Sequence, residues 1–174
     1  MISFFARIIV ALNSNSRPGE LASGAAFGFW LALIPGGNLL WTILFVTAFF
    51  LKHNLAAVLL CLAGFRLIVP AADPLLDRLG AVILEHPALQ DFFTSLYNIP
   101  LMPWMRFNNT IVMGGFLTGL LLWLPLFLLV LFLVKLYRKK IASKLADSKL
   151  IRRLKKVPFI SKLSSAVRKA SVFA

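Results

Sequence analysis

The sequence predicts an all-α integral membrane protein, and its composition and charge pattern support this fold class. Of the 174 residues, 60% are hydrophobic and only 14% are charged, and sixteen are phenylalanine. The apolar residues form long uninterrupted runs, and a water-soluble domain of this size has too little interior to bury so much apolar surface.

The formal net charge of +13 comes almost entirely from the carboxyl-terminal part of the chain. Residues 135–174 contain thirteen of the nineteen basic residues and one acidic residue, Asp147, so they carry +12 and the remainder carries +1. We therefore expect a membrane domain over residues 1–134 and a basic cytoplasmic tail over residues 135–174.

The first residues have the pattern of a short amphipathic helix on the bilayer surface. Arg7 splits their apolar part and no small-residue cleavage site follows, so we expect them to remain in the mature chain. The residues that recur at helical spacing are Ile2, Phe5, Ile8, Ile9 and Leu12.

A break interrupts the first long apolar run at the sequence Pro-Gly-Gly-Asn, residues 35–38. We expect Ser16 to cap the helix before the break, with Pro18 in its first turn. Leu21–Ile34 and Leu39–Leu51 would each reach about 20 Å, short of the roughly 30 Å of hydrocarbon. The two pieces form either one broken crossing or a re-entrant hairpin over residues 20–51.

The charges of the connecting segments favour the hairpin. Residues 55–72 and 107–134 are predicted as two full transmembrane helices, and the segment 73–106 between them carries four acids and two bases. The positive-inside rule places the basic tail in the cytoplasm and the segment 73–106 outside. Both termini then lie in the cytoplasm only if residues 20–51 return to the side from which they start.

The external segment has the pattern of interfacial helices. Trp104 and Met105 are typical of an anchor at the membrane boundary. One apolar helical face contains Leu75, Leu76, Leu79, Val82 and Ile83, and a second contains Leu89, Phe92, Phe93 and Leu96.

Several residues around the break are candidates for binding a lipid or another anion. Non-helical backbone at membrane depth must contact protein or water, and the amino end of the helix after the break could attract an anion. The alternative is a tight hairpin tip in which Asn38 caps its own chain. Arg66 either extends to the aqueous boundary or pairs with an anionic headgroup. The candidates are Pro35, Gly36, Gly37, Asn38, Arg66, Asn108 and Asn109.

Two further groups of residues have predicted roles outside this site. Two small-x-x-x-small pairs indicate close helix packing, within the chain or between subunits: Gly24 with Gly28, and Gly115 with Gly119. Basic residues of the amphipathic tail suit anionic headgroups. These are Arg138, Lys139, Lys140, Arg152, Arg153, Lys155 and Lys156.

The sequence contains no pattern that predicts catalysis, a cofactor or a metal site. Cys61 is the single cysteine, and His53 and His86 are isolated from other ligand residues. No nucleophile elbow, phosphate-binding loop or zinc signature is present. We therefore do not expect an enzyme. The tail has only three aromatic residues, Tyr137, Phe159 and Phe173, and no known RNA-binding module, so we do not expect nucleic-acid binding either.

The run from Ser16 to Leu60 resembles the bacterial membrane proteins of the domain-of-unknown-function family 2062. The resemblance rests on an opening proline, a helix rich in alanine and glycine, a Pro-x-Gly break and a later asparagine, which fall at Pro18, Gly28, Pro35, Gly37 and Asn54. It implies a small multi-pass protein of the bacterial inner membrane and supplies no catalytic residues.

Three functions agree with these observations. The first is a non-enzymatic inner-membrane subunit that handles or transports lipid beside a larger envelope protein. The second is an anchor or scaffold that receives a partner's transmembrane helix. The third is a small-solute transporter, which ranks last because no apolar segment contains an acidic residue to couple ions.

Overall fold

A computed structural model describes residues 16–140, and every regular element in this part of the chain is helical. The helices are α1 (Pro18–Leu33), α2 (Leu39–Phe50), α3 (Leu55–Arg66), α4 (Asp73–Leu84), α5 (Gln90–Tyr97), α6 (Met102–Met105) and α7 (Thr110–Lys140), with short 3-10 turns at Val69–Ala71 and Pro87–Leu89. The all-α fold class is confirmed for the described residues.

Asparagine side chains begin three of these helices. Asn38, Asn54 and Asn109 each accept a hydrogen bond from a backbone N–H in the first turn of α2, α3 and α7, respectively. Such caps satisfy donors that have no partner inside the helix.

The sequence predicted that Ser16 caps the first helix, and this prediction is wrong. Its N-cap residue is Arg17, whose backbone N–H donates to the Glu20 carboxylate at 3.3 Å. Ser16 instead accepts a hydrogen bond from Asn54 Nδ2 at 2.7 Å, which ties the start of α1 to the start of α3.

The chain reverses direction at the break, so α1 and α2 are antiparallel. The indole N–H of Trp41, near the start of α2, donates to the Leu31 carbonyl near the end of α1. Farther from the break, the backbone N–H of Asn54 donates to the carbonyl of Glu20 in the first turn of α1. These two contacts give α1 and α2 opposite directions in the described structure.

Close backbone approach joins α1 and α3, which run parallel. A Cβ atom on Gly24 would lie 2.6 Å from the carbonyl oxygen of Asn54, and a Cβ atom on Gly28 would overlap the carbonyl oxygen of Val58. Glycine at both positions therefore lets the two helices approach until backbone meets backbone.

The longest helix, α7, runs antiparallel to α1. Gly115 lies against the carbonyl of Leu33, Gly119 lies under the Trp30 ring, and Val134 belongs to the same buried cluster as Leu21. The break after α1 is therefore level with the first turns of α7, not with its middle.

One helix in the described part of the chain, Thr110–Lys139, is long and apolar enough to cross a membrane. The second full transmembrane helix predicted over residues 55–72 is not shown, because α3 ends at Arg66 after 12 residues. Pro70 explains this end: it has no N–H to donate to the carbonyl four residues earlier, and its ring would collide with that carbonyl. At 1.5 Å per residue α3 is about 18 Å long.

The segment between α3 and α7 contains the predicted helices. In α4, Leu76 and Gly80 are buried against the start of α7, and Asp77 accepts a hydrogen bond from the Thr110 hydroxyl. The short helix α6 is flanked by two left-handed residues, Leu101 at φ 74° and Arg106 at φ 57°.

Close contacts divide the chain into two units, Met1–Val134 and Lys135–Ala174. Of the second unit, the structure describes the end of α7, Lys135–Lys140. The predicted amino-terminal amphipathic helix and the amphipathic tail beyond residue 140 lie outside the described residues.

Candidate functional site

The Asn38 side chain bonds backbone groups on both sides of the break between α1 and α2. Asn38 is 5% exposed; its Oδ1 accepts from the Trp41 backbone N–H at 2.7 Å, and its Nδ2 donates to the Pro35 carbonyl at 2.6 Å. Gly37 provides the left-handed conformation of the turn, with φ at 83°. Asn38 therefore caps the start of α2 within its own chain.

Arg66 completes the end of α1. Its Nη1 donates to the carbonyl oxygens of Ala32 at 2.9 Å and Ile34 at 2.8 Å. The carboxyl end of a helix carries a partial negative charge, so a guanidinium is favourable there. Arg66 and the Trp41 indole thus bond three carbonyls at the end of the broken helix, those of Leu31, Ala32 and Ile34.

Two nitrogens of this guanidinium take no part in the bonds to α1. Nη2 and Nε have no hydrogen-bond partner among residues 16–140, and the side chain is exposed. Nη2 lies beside the break, 3.7 Å from the position of a Cβ atom on Gly36. Two free nitrogens of an arginine match a pair of phosphate or carboxylate oxygens.

An apolar groove opens beside Arg66. It has a volume of about 460 Å³ and lies between α2 and α3, where Trp41, Leu59, Leu62, Ala63 and Arg66 line it. Four of these five residues are apolar and the fifth is a cation, so the groove suits an amphipathic anion.

The chain matches the family of uncharacterised proteins conserved in bacteria, DUF2062, over residues 4–142. An uncharacterised protein of Treponema pallidum (strain Nichols) is 40% identical over 129 residues, which are 74% of this chain and 80% of that protein. The chain belongs to the DUF2062 family. The predicted family is therefore confirmed. No solved structure matches this chain.

In this DUF2062 protein the predicted candidates separate into two places. Pro35, Gly36, Gly37, Asn38 and Arg66 come together at the end of α1. Asn109 caps α7, and Asn108 lines a second groove of about 410 Å³ beside Phe93, Tyr97 and Phe107.

The four glycines predicted for helix packing all contact other helices of the same chain. Gly24 and Gly28 contact α3, and Gly115 and Gly119 contact α1. These faces are therefore occupied by the protein's own helices. Of the predicted membrane-surface residues, Arg138, Lys139 and Lys140 belong to the end of α7. The others, Arg152, Arg153, Lys155 and Lys156, lie outside the described residues.

Two polar contacts of this DUF2062 member have no counterpart in the sequence predictions. The Trp41 indole bond to Leu31 follows from the rule that a buried tryptophan N–H finds an acceptor, but the sequence does not show which one. His53, between α2 and α3, places Nδ1 2.8 Å from the Ser23 hydroxyl oxygen. Thirty residues separate the two, so no local pattern reveals this pair.

Proposed function

We propose that this protein is a non-enzymatic subunit of the bacterial inner membrane that binds an anionic phospholipid and takes part in lipid handling or intermembrane lipid transport. It would act with a larger envelope protein. The observation that carries the proposal is Arg66, a cation with two free nitrogens at one end of an apolar groove.

The length of α7 gives the depth at which Arg66 would lie. Val134 is the last apolar residue before the basic residues that begin at Lys135, so it marks the inner boundary of the hydrocarbon. Crossing about 30 Å takes about 20 helical residues. The segment of that length that ends at Val134 begins near Gly115.

Gly115 contacts the end of α1, and Arg66 is bonded to that same end. The guanidinium would therefore lie at the outer boundary of the hydrocarbon, where lipid phosphates are found. The exposure of Arg66 agrees with this depth, because a charged side chain at the bilayer centre costs about 2.5 to 3.5 kcal/mol on insertion scales.

The groove would receive an acyl chain of the same lipid. Leu59, Leu62 and Ala63 lie on α3 before Arg66, in the direction of the inner boundary. A lipid with its phosphate on Arg66 would extend its chain along these residues. The ligand expected from this chemistry is a phospholipid of the outer leaflet.

The proposed topology is multi-pass with both termini in the cytoplasm. The hairpin of α1 and α2 would start and end at the inner boundary, α3 would lead outward and α7 would lead back. Arg17 and Lys52 lie at the end of the hairpin that faces away from the break, which supports an inner location under the positive-inside rule.

The test changes the groove and leaves the Arg66 side chain in place. Ala63→Trp would fill the groove, because Ala63 is one of its lining residues. Ala56→Trp is the matched control: Ala56 is an exposed alanine two turns earlier on α3 and does not line the groove. Native mass spectrometry of the full chain, gently extracted with its membrane, measures the lipid retained.

We expect the natural chain and Ala56→Trp to retain one phosphate-bearing lipid per chain, and Ala63→Trp to lose it. Equal retention by all three proteins would overturn the proposal. A protein helix in the groove in place of lipid would support the scaffold alternative.

A further inference from the structure

The helix α4 has three different sides. Leu76 and Gly80 are buried and pack on the first turn and a half of α7, against Gly114 and Thr110. Leu75, Leu79 and Val82 are 61%, 44% and 69% exposed, respectively. The spacing of these three residues places them on one face, which we call the α4 stripe.

Charged residues occupy the third side of α4. Arg78 lies in α4, and Glu85 is the residue that directly follows the last turn of the helix. Both are exposed, and their separation of seven residues places them on the same side. A helix with one side on protein, one exposed apolar side and one charged side matches an environment in which protein, hydrocarbon and water meet.

The contacts of α4 place it at such a boundary. Leu76 lies against Gly114. Counting about 20 residues back from Val134 places the outer boundary of the hydrocarbon near Gly115, the next residue. The hydrogen bond between Asp77 and the Thr110 hydroxyl fixes α4 to the start of α7. The α4 stripe is therefore held at the depth where α7 leaves the hydrocarbon.

We propose that α4 lies along the outer surface of the bilayer and inserts the α4 stripe among the lipids of the outer leaflet, with Arg78 and Glu85 in water. Trp104, which is 72% exposed in the same segment, agrees with an interfacial location because tryptophan favours this region. The inference rests on the orientation of α7 given under the proposed function, but it does not require a lipid in the groove beside Arg66, so lipid binding there and insertion of the α4 stripe can fail separately.

The test measures which solvent surrounds each side of α4. In the full chain with Cys61 replaced by alanine, single cysteines at Leu79, Val82, Arg78 and Glu85 carry a nitroxide spin label. The protein is reconstituted into nanodiscs of phosphatidylethanolamine and phosphatidylglycerol. Collisions of the label with oxygen, which concentrates in lipid, and with a water-soluble nickel chelate are then compared.

We expect oxygen collisions to dominate at Leu79→Cys and Val82→Cys, and nickel collisions to dominate at Arg78→Cys and Glu85→Cys. Leu76→Cys is the folding control, and its buried label should be protected from both reagents. Equal nickel accessibility on both sides would overturn the proposal by placing the stripe in water. Protection of the stripe from both reagents would overturn it by showing that a protein covers this side.

Discussion

Arg66 stabilises the end of α1 through one nitrogen of its guanidinium. Nη1 bonds two carbonyls there, whereas Nη2 and Nε have no partner among residues 16–140. Its position in an apolar run is unusual, and the sequence predicts either extension to water or contact with a headgroup. Neither includes the bonds to α1, because the 32 and 34 residues between donor and acceptor hide this contact from any local pattern.

His53 is the residue for which the structure predicts a pH effect. Burial lowers the pKa of its imidazole, whose Nδ1 contacts the Ser23 hydroxyl and whose Nε2 is buried without a partner among the described residues. The unfolded chain titrates near the ordinary value of about 6.5. As the pH falls below this value the unfolded chain binds a proton first, so the free energy of unfolding decreases.

We therefore expect unfolding of the full chain in detergent micelles to become easier between about pH 7 and about pH 5. His53→Gln should reduce this dependence, whereas His86→Gln, in the exposed segment before α5, should retain it. The measurement is the midpoint of denaturation at each pH. An unchanged pH dependence in His53→Gln would show that other groups cause it.

Single glycines decide how closely the helices pack. A Cβ atom on Gly28 would overlap the carbonyl oxygen of Val58, and one on Gly114 would overlap that of Leu76. Backbone atoms cannot rotate away as a side chain does, so the helices must separate. A Cβ atom on Gly19, at the start of α1, would have no neighbour within 4 Å.

Alanine should therefore destabilise the fold at Gly28 and Gly114 but not at Gly19. We expect Gly28→Ala and Gly114→Ala to lower the free energy of unfolding by about 1 to 3 kcal/mol, as overpacked cores do. Gly19→Ala should leave it unchanged or raise it slightly, because alanine is the better helix former. Titration with a denaturing detergent, followed by circular dichroism, gives the comparison. Equal stability of Gly114→Ala and Gly19→Ala would contradict the observed packing of α4 on α7.

The sequence predicts the helices better than it predicts their ends and neighbours. The break at residues 35–38, the cap at Asn38 and the helices of the external segment all follow from residue types whose preferences are local. Pro70 and the residues after it predict an end to α3 near the boundary at residue 72, but the helix ends earlier, at Arg66, because proline also affects the carbonyl four residues before it. The single apolar face predicted for α4 is divided in the structure, since only contact with α7 determines that Leu76 is buried and Leu75 is not.

The arrangement of the whole molecule leads to a test of its topology. The connection between α2 and α3 lies at the opposite end of the hairpin from the break, and the segment with α4 and α5 lies at the amino end of α7. If these ends face the cytoplasm and the periplasm, respectively, a reagent that cannot cross membranes distinguishes them.

In cells that carry the Cys61→Ala chain, we expect Asp91→Cys to react with an impermeant maleimide added outside the inner membrane. Lys52→Cys should react only after that membrane is opened. Both positions are exposed, so burial does not account for a difference. Labelling of Lys52→Cys from the periplasmic side would contradict the proposed orientation.

The unequal helix lengths have a consequence for the surrounding bilayer. The apolar part of α7 is long enough to cover the full thickness of the hydrocarbon, whereas α2 and α3, with 12 residues each, are about 18 Å long. In the proposed topology, lipids beside α2 and α3 would meet a shorter apolar surface than lipids beside α7. Such hydrophobic mismatch is relieved by local thinning of the bilayer, at a cost of a fraction of a kcal/mol per Å. The thinned region would surround the groove beside Arg66, so a lipid there would have less hydrocarbon to cross than a lipid anywhere else around the protein.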